Sequence, residues 1–165
     1  MNALRKNRIL FAAAALFAAA CSVNGHYGNG DDNFFSSFTT FENARWSYAD
    51  PIEIAVDTLA DSICQRGDLL LTLRHTEGYP YSNIWLELNY DTDDSTSVAD
   101  TLNIVLADAY GHWRGRGPGN TYSVSDTVLR DVPLRRHQNI TLRHIMRVDT
   151  LEEIEQAGLT YLPKP

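Results

Sequence analysis

Apolar residues alternate with polar ones along most of the chain between residues 52 and 146. The alternation has a period of two residues, which predicts half-buried β-strands. Turn-forming residues at 78–83 and 91–96 and a glycine-rich loop at 107–120 separate the segments. The apolar positions of the five segments are Ile52, Ile54 and Val56; Leu69, Leu71 and Leu73; Ile84, Leu86 and Leu88; Leu102, Ile104 and Leu106; and Ile140, Leu142, His144 and Met146.

Two flanking segments allow more than one structure. The phenylalanines at 34, 35, 38 and 41 have a partly helical spacing, and they fit equally an entering strand or an apolar strap. LEEIEQAG, residues 151–158, indicates a helical turn that ends at Gly158, before a last strand over 159–162. A strand is also predicted directly after the glycine-rich loop, in TYSVSDTVL.

Several antiparallel strands with one polar face each must bury the other face. Two sheets packed face to face achieve this. The pattern therefore predicts an all-β fold, a single antiparallel β-sandwich of jelly-roll-like type, over residues 34–165.

The first 33 residues have a different character. Arg5, Lys6 and Arg8 precede an apolar run that is too short for a membrane-spanning helix, so residues 1–20 are predicted to be a signal peptide. Three alanines precede Cys21, as in the lipobox of bacterial lipoproteins, although Ala18 stands where leucine is usual. We expect lipidation of Cys21; the alternative is an ordinary signal cut near Ala20. Residues 21–33, rich in glycine, asparagine and aspartate, are predicted to be a flexible tether.

Charge and cysteine content narrow the classes of function. Removal of the three basic signal-peptide residues leaves 11 Lys and Arg against 21 Asp and Glu, a net charge of about −10. Such a chain does not bind nucleic acid or an anionic membrane through bulk electrostatics, so the lipid on Cys21 must provide the membrane contact. With Cys21 lipidated, Cys64 has no internal disulfide partner, and we interpret it as a structural thiol.

The glycine-rich loop ADAYGHWRGRGPGN is the most distinctive segment. It lacks the lysine and the following helix of a nucleotide-binding loop, and Pro118 removes a backbone N–H. It is interpreted as a wide connection between strands. Alternatively it is a partner-binding loop, since Tyr110, Trp113, Arg114 and Arg116 are residue types that anchor protein interfaces.

Other motifs give no catalytic or metal site. His75 and His144 end the near-identical runs LTLRH and ITLRH, and we predict two separate, hydrogen-bonded histidines at the sandwich rim rather than a metal pair. DTDDSTSVAD, residues 91–100, lacks the glycine and glutamate of a calcium loop and is predicted to be a hairpin tip. Standard catalytic signatures are absent. We expect no enzyme and no cofactor, with an unrecognised hydrolase as a remaining alternative.

Three segments together resemble the gliding-motility lipoprotein GldH family. They are YPYSNIWLEL at 79–88, DTLNIVLADAYGHWRGRGPGN at 100–120 and LEEIEQAGLTYL at 151–162. With the lipobox, the resemblance extends from Cys21 to about Leu162. The run at 100–120 is its most specific part.

The resemblance implies a lipid-anchored accessory protein of the gliding and type IX secretion machinery of Gram-negative bacteria, without catalysis. Its implied partners are other envelope proteins of that machinery. We expect anchorage in the outer membrane, facing the periplasm. The alternative function is a carbohydrate-binding envelope lipoprotein that recognises glycan through Trp113, Tyr110 or Trp85.

Overall fold

A computed structural model describes residues 35–56, 65–92, 96–134 and 138–164. Within these residues the chain forms ten β-strands and one short 3₁₀ helix, Glu42–Ala44. The strands are β1 Phe35–Thr40, β2 Arg45–Ser47, β3 Ile52–Ala55, β4 Gln65–Thr76, β5 Asn83–Asp91, β6 Ser97–Val105, β7 Thr121–Leu134, β8 Asn139–His144, β9 Thr150–Glu152 and β10 Ile154–Pro163.

The strands form two four-stranded sheets and one two-stranded sheet. The first large sheet has the order β1-β10-β4-β7, and the second has the order β3-β8-β5-β6. The pair β2-β9 forms the small sheet. All recorded strand pairs are antiparallel, and the sheets do not close into a barrel. The prediction of an all-β sandwich is therefore confirmed.

One hydrophobic core lies between the two large sheets. Inward-facing leucines of β4, at 69, 71 and 73, pack in the same cluster as Ile84, Leu86 and Leu88 of β5. These are the positions that the period-two pattern assigned to the apolar faces. Trp46 of β2 and Tyr161 of β10 are the largest fully buried side chains in the described part of the chain. Burial of these apolar faces is the main force that holds the sheets together.

The expected helical turn at 151–158 is wrong. The segment forms the end of β9 and the first half of β10, interrupted at Glu153, which has φ of 68°. The last strand is confirmed, but it begins at Ile154 instead of 159. β10 pairs with β1 on one side and β4 on the other. Its backbone is thus satisfied by two neighbouring strands, which overrides the weak helical preference of the local sequence.

The close approach of β1 to β10 explains why residue 158 is a glycine. A Cβ atom at this position would collide with the Ser37 carbonyl oxygen and the Phe38 ring of β1. Glycine is therefore required by close packing within the sheet and does not end a helix. The phenylalanine segment forms the entering strand β1, with Phe35 buried, so its helical interpretation is also wrong.

Some sequence predictions lie outside the described residues. They are the signal peptide at 1–20, the tether at 21–33 with Cys21, and also Phe34, Cys64, Asp93 and Asp94. The hairpin around 91–97 is confirmed, because β5 pairs with β6 up to Asp91 and Ser97. Among the described residues, no helix is long and apolar enough to cross a membrane.

Candidate functional site

The glycine-rich loop connects the two large sheets at one end of the sandwich. It leaves β6 at Val105 and enters β7 at Thr121. Two isolated bridges fold it back on itself and on β7, Ala107 with Trp113 and Arg116 with Ser123. The predicted wide connection and the strand after it are therefore confirmed. The bridges make the loop a defined structure, with a tight hairpin at 107–113 and a second turn at 117–121.

Asp108 organises the tip of the hairpin. Its side chain accepts hydrogen bonds from the backbone N–H groups of Tyr110, at 2.8 Å, and His112, at 2.9 Å. The Gly111 N–H donates to the Asp108 carbonyl at 3.1 Å, which closes a four-residue turn. The backbone hydrogen bond from His112 is the largest of the effects that lower the pKa of Asp108. Asp108 therefore stays ionised and holds the tip in one conformation.

Trp113 anchors the loop to the sandwich. Its half-buried indole packs edge-on against the ring of His75, with centroids 4.7 Å apart. The rings of Tyr79 and Tyr122 lie 6.5 Å and 6.1 Å from it. Tyr81 extends the same group through Tyr79, at 5.6 Å. We call these five residues the end cluster; its edge-to-face and offset contacts are the geometry that aromatic rings prefer.

Gly115 allows the loop to lie directly against β7. Its φ is +80°, and a Cβ atom there would collide with the backbone carbonyl of Ser123. The Arg116 and Ser123 backbones exchange two long hydrogen bonds, of 3.4 Å and 3.3 Å. These bonds cover the first residues of β7, which is an edge strand of its sheet. The loop thus occupies the start of this edge strand at Ser123 and blocks pairing with another chain there.

The four residues proposed for partner binding differ in their exposure. Tyr110 lies at the hairpin tip and is 87% exposed. Arg114 and Arg116 are also exposed, and the Arg114 guanidinium donates to the Val105 carbonyl at 3.2 Å. Trp113, in contrast, is half-buried against the other members of the end cluster. One aromatic and two cationic side chains of the loop are therefore exposed, whereas Trp113 packs against the sandwich.

His75 forms the buried centre of the end cluster. Its ring stacks on Tyr122, with centroids 5.6 Å apart, and its Nδ1 bonds the Thr76 carbonyl at 2.8 Å. Its Nε2 is buried and has no hydrogen-bond partner among the described residues. Burial is the largest cause that lowers the pKa of His75 below its ordinary value, and the hydrogen bond to Thr76 opposes it in part. Burial therefore favours the neutral form of the ring.

His144 lies in the other large sheet, on β8. Its ring packs edge-on against Trp46, at 5.5 Å, and Tyr48, at 5.9 Å. Neither ring nitrogen has a partner within hydrogen-bond distance in the described part of the chain. Burial is the largest cause that lowers the pKa of His144, and the nearby Trp46 backbone opposes it in part.

The two histidines thus lie in different sheets and contact different aromatic side chains. Both rings are fully buried. His75 is hydrogen-bonded through Nδ1, as predicted, whereas neither ring nitrogen of His144 has a partner within hydrogen-bond distance among the described residues. Each ring packs among aromatic side chains. Within the described ranges, no group of three or more His, Cys, Asp or Glu side chains is placed to hold a metal ion.

Trp85 lies outside the glycine-rich loop. It is on β5, faces outward from its sheet and is 42% exposed. Of the three aromatic residues considered for glycan stacking, Tyr110 and Trp85 are exposed, whereas Trp113 is covered by the end cluster.

Sequence reasoning missed the role of Asp108. The signal was present, because Asp at the first position of a four-residue turn and Gly at the fourth is a favoured combination. It also missed the contribution of His75 and Tyr122 to the support of Trp113. They come from β4 and β7, and only the sheet order brings them together.

Comparisons with known proteins add one strong match. The sequence model of the GldH lipoprotein family matches residues 33–160. A comparison with curated proteins gave no significant match. Among solved structures, the chain is similar to the enzymatically active domain of bacteriophage CBA120 tailspike protein 4, at 11% identity and a TM-score of 0.26. That similarity covers 82% of this chain and only 18% of the tailspike chain.

Proposed function

Because the chain belongs to the GldH lipoprotein family, we propose that it is an accessory interaction module of the gliding-motility and type IX secretion machinery. As a family member it is a gliding-motility lipoprotein, lipid-anchored in the cell envelope, and the family is not known as enzymatic. The proposal adds that the lipid is on Cys21, that residues 21–33 are the tether, and that the domain faces the periplasm from the outer membrane. In the proposed function, the domain binds other proteins of the machinery and performs no catalysis.

The observation that supports the proposal is the construction of the glycine-rich loop. Trp113 holds the loop against the sandwich through its contact with His75, and Asp108 fixes the hairpin tip through hydrogen bonds with its backbone. The tip then presents Tyr110 almost fully to solvent, beside two exposed arginines. A loop whose backbone is already ordered loses little conformational entropy on binding, and tyrosine is a residue type that often anchors protein interfaces.

The charge of the loop contrasts with that of the rest of the chain. The whole sequence has a net charge of −7, whereas the loop carries Arg114 and Arg116 with one acidic residue, Asp108. Asp108 is already engaged by two backbone N–H groups and by His112, whose Nδ1 lies 3.1 Å from its carboxylate. The loop therefore favours a partner surface with exposed carboxylates.

The proposal is tested by cross-linked pull-down of the tagged, lipidated protein from its own envelope. A Tyr110→Ser, Arg114→Gln, Arg116→Gln triple variant removes the exposed groups and leaves Trp113 in place. A matched control is Tyr48→Ser, Arg45→Gln, Arg130→Gln, whose three side chains are also exposed and lie outside the loop.

We expect motility or secretion components to co-purify with the wild type and the control and to be lost with the loop variant. Equal recovery with all three would retain the module function and reject the loop as its docking site. If the wild type recovers no component of the machinery, the proposed function is wrong.

A further inference from the structure

A groove of about 540 Å³ runs across the outer side of the domain, next to β5. It lies outside the glycine-rich loop, and its volume is within the range of small-ligand sites. Its lining combines aromatic and aliphatic surface with a few polar groups. The lining residues are Tyr81, Asn83, Trp85, Ile145, Met146, Arg147 and Val148.

The backbone holds the two sides of the groove together. The Ile145 N–H donates to the Trp85 carbonyl at 2.9 Å. The backbone N–H of Trp85 donates a hydrogen bond to the Met146 sulfur, 3.3 Å away. Tyr81 belongs to the end cluster and contacts Tyr79. The groove is therefore formed before any ligand arrives, so a ligand does not have to order it.

Trp85 provides a flat, exposed apolar surface in this groove. Its side chain is 42% exposed, and its indole N–H donates no hydrogen bond to the described residues. A tryptophan of this kind offers both an apolar face and one hydrogen-bond donor. The C–H face of a sugar ring is the matching ligand surface, since it is apolar on one side and carries hydroxyls at its edge.

An amide pair lies beside Trp85. Asn83 donates from Nδ2 to Oδ1 of Asn103 at 2.7 Å, and Asn103 is the cross-strand neighbour of Trp85. This single bond between the two side chains leaves Oδ1 of Asn83 available as an acceptor and the side-chain NH₂ group of Asn103 available as a donor. Hydroxyl groups of a saccharide require such paired donors and acceptors at close spacing.

Arg147 determines the charge of the ligand. Its side chain is exposed at the groove, and no carboxylate forms an ion pair with it in the described part of the chain. A guanidinium binds a carboxylate by two parallel hydrogen bonds, which are stronger than bonds to a neutral group. On a domain with an excess of acidic residues, an unpaired arginine in a groove favours an anionic ligand at that point.

We propose that this groove binds an acidic saccharide, with a sugar ring on Trp85, hydroxyls on Asn83 and Asn103, and a carboxylate on Arg147. The site is independent of the proposed docking function of the loop. It gives the domain a second contact, with a carboxylated glycan of the envelope, in addition to its protein partners.

The test is a titration of the full lipidated protein in detergent with trigalacturonic acid, observed by NMR of the indole N–H signals. The fully methyl-esterified trimer is the matched control ligand, because it keeps the rings and hydroxyls and removes the charge. The Trp85 signal is identified from its loss in Trp85→Phe. Arg147→Gln tests the carboxylate contact, and Arg116→Gln is the control for an exposed arginine in the loop.

We expect the acid trimer to shift the Trp85 signal saturably, and the Trp46 signal to stay unchanged. Arg147→Gln should weaken binding about tenfold, the loss expected for one charge-assisted contact, whereas Arg116→Gln should have no effect. Trp85→Ala should abolish binding, and its circular dichroism spectrum should match the wild type.

Three results would overturn the proposal. The first is no saturable shift at millimolar trimer. The second is equal affinity for the acid and its ester. The third is a photo-cross-linker at position 85 that captures an envelope protein in cells while no saccharide binds in vitro. None of them affects the pull-down through Tyr110, so the two proposals fail separately.

Discussion

Substitution of Gly115 by alanine tests how the loop is held, and Gly111 provides a closely matched control. Both glycines have a positive φ, 80° and 83° respectively. At Gly115 an added Cβ atom meets the Ser123 carbonyl, whereas at Gly111 nothing lies within 4 Å of it. The two substitutions thus share the backbone strain and differ in the steric collision.

The magnitudes follow from these two contributions. Alanine at positive φ destabilises the folded state by about 1–2 kcal/mol relative to glycine. About 0.4–1 kcal/mol of this loss is offset, because alanine has less conformational entropy than glycine in the unfolded chain. Gly111→Ala should therefore reduce the free energy of unfolding by about 1 kcal/mol. Gly115→Ala should in addition break the two hydrogen bonds between Arg116 and Ser123, at about 0.5–1.5 kcal/mol each.

The assay is urea unfolding of both variants, observed by circular dichroism and by tryptophan emission. We expect Gly115→Ala to be less stable than Gly111→Ala by about 1–3 kcal/mol. If the loop detaches locally, the difference should appear as a red-shifted emission of Trp113 in the native state. Equal stability together with equal native emission would refute the idea that Gly115 holds the loop on β7.

Three further substitutions test other parts of the structure. Trp113→Ala should cost about 2 kcal/mol, roughly half of the loss for a fully buried tryptophan; an unchanged urea midpoint would contradict its role as an anchor. Gly158→Ala should cost about 1–3 kcal/mol through overpacking against Ser37, and a neutral effect on the midpoint would reject the close contact of β1 and β10. Burial lowers the pKa of His144 in the folded state, so its contribution to stability is complete above about pH 6.5 and is lost as the pH falls below that value. His144→Phe should therefore be neutral or stabilising at pH 7 and should flatten the dependence of the urea midpoint on pH between 5 and 7; an unchanged slope would contradict this assignment.

Period-two patterns predicted the strands well because each strand faces the core on one side only. Leu69 to Leu73 and Ile84 to Leu88 bury alternate side chains as the pattern requires. The segment at 151–158 was mispredicted because the strand register is irregular there: the pairing of β10 with β4 shifts between Ile154 and Gln156. Ile154 and Ala157 are both buried, and their spacing of three residues resembles one face of a helix.

The candidate site was predictable in composition and not in arrangement. The glycines and the exposed residue types identified the loop, and the resemblance to the family supported its choice. The inward orientation of Trp113 follows from contacts with His75 and Tyr122, which are distant in sequence. The groove at Trp85 was not predictable as a unit, because it requires the segment 145–148 to lie against β5.

In the proposed function, the glycine-rich loop is the protein-binding surface of this lipoprotein. This role is tested most directly by a photo-cross-linking amino acid at Tyr110, activated in intact cells. Leu162 is the control position, because it is also exposed and lies at the opposite end of its sheet from the loop. We expect a discrete cross-link from position 110 to another envelope protein of the motility or secretion machinery, and none from position 162. No cross-link from position 110, or the same products from both positions, would contradict it.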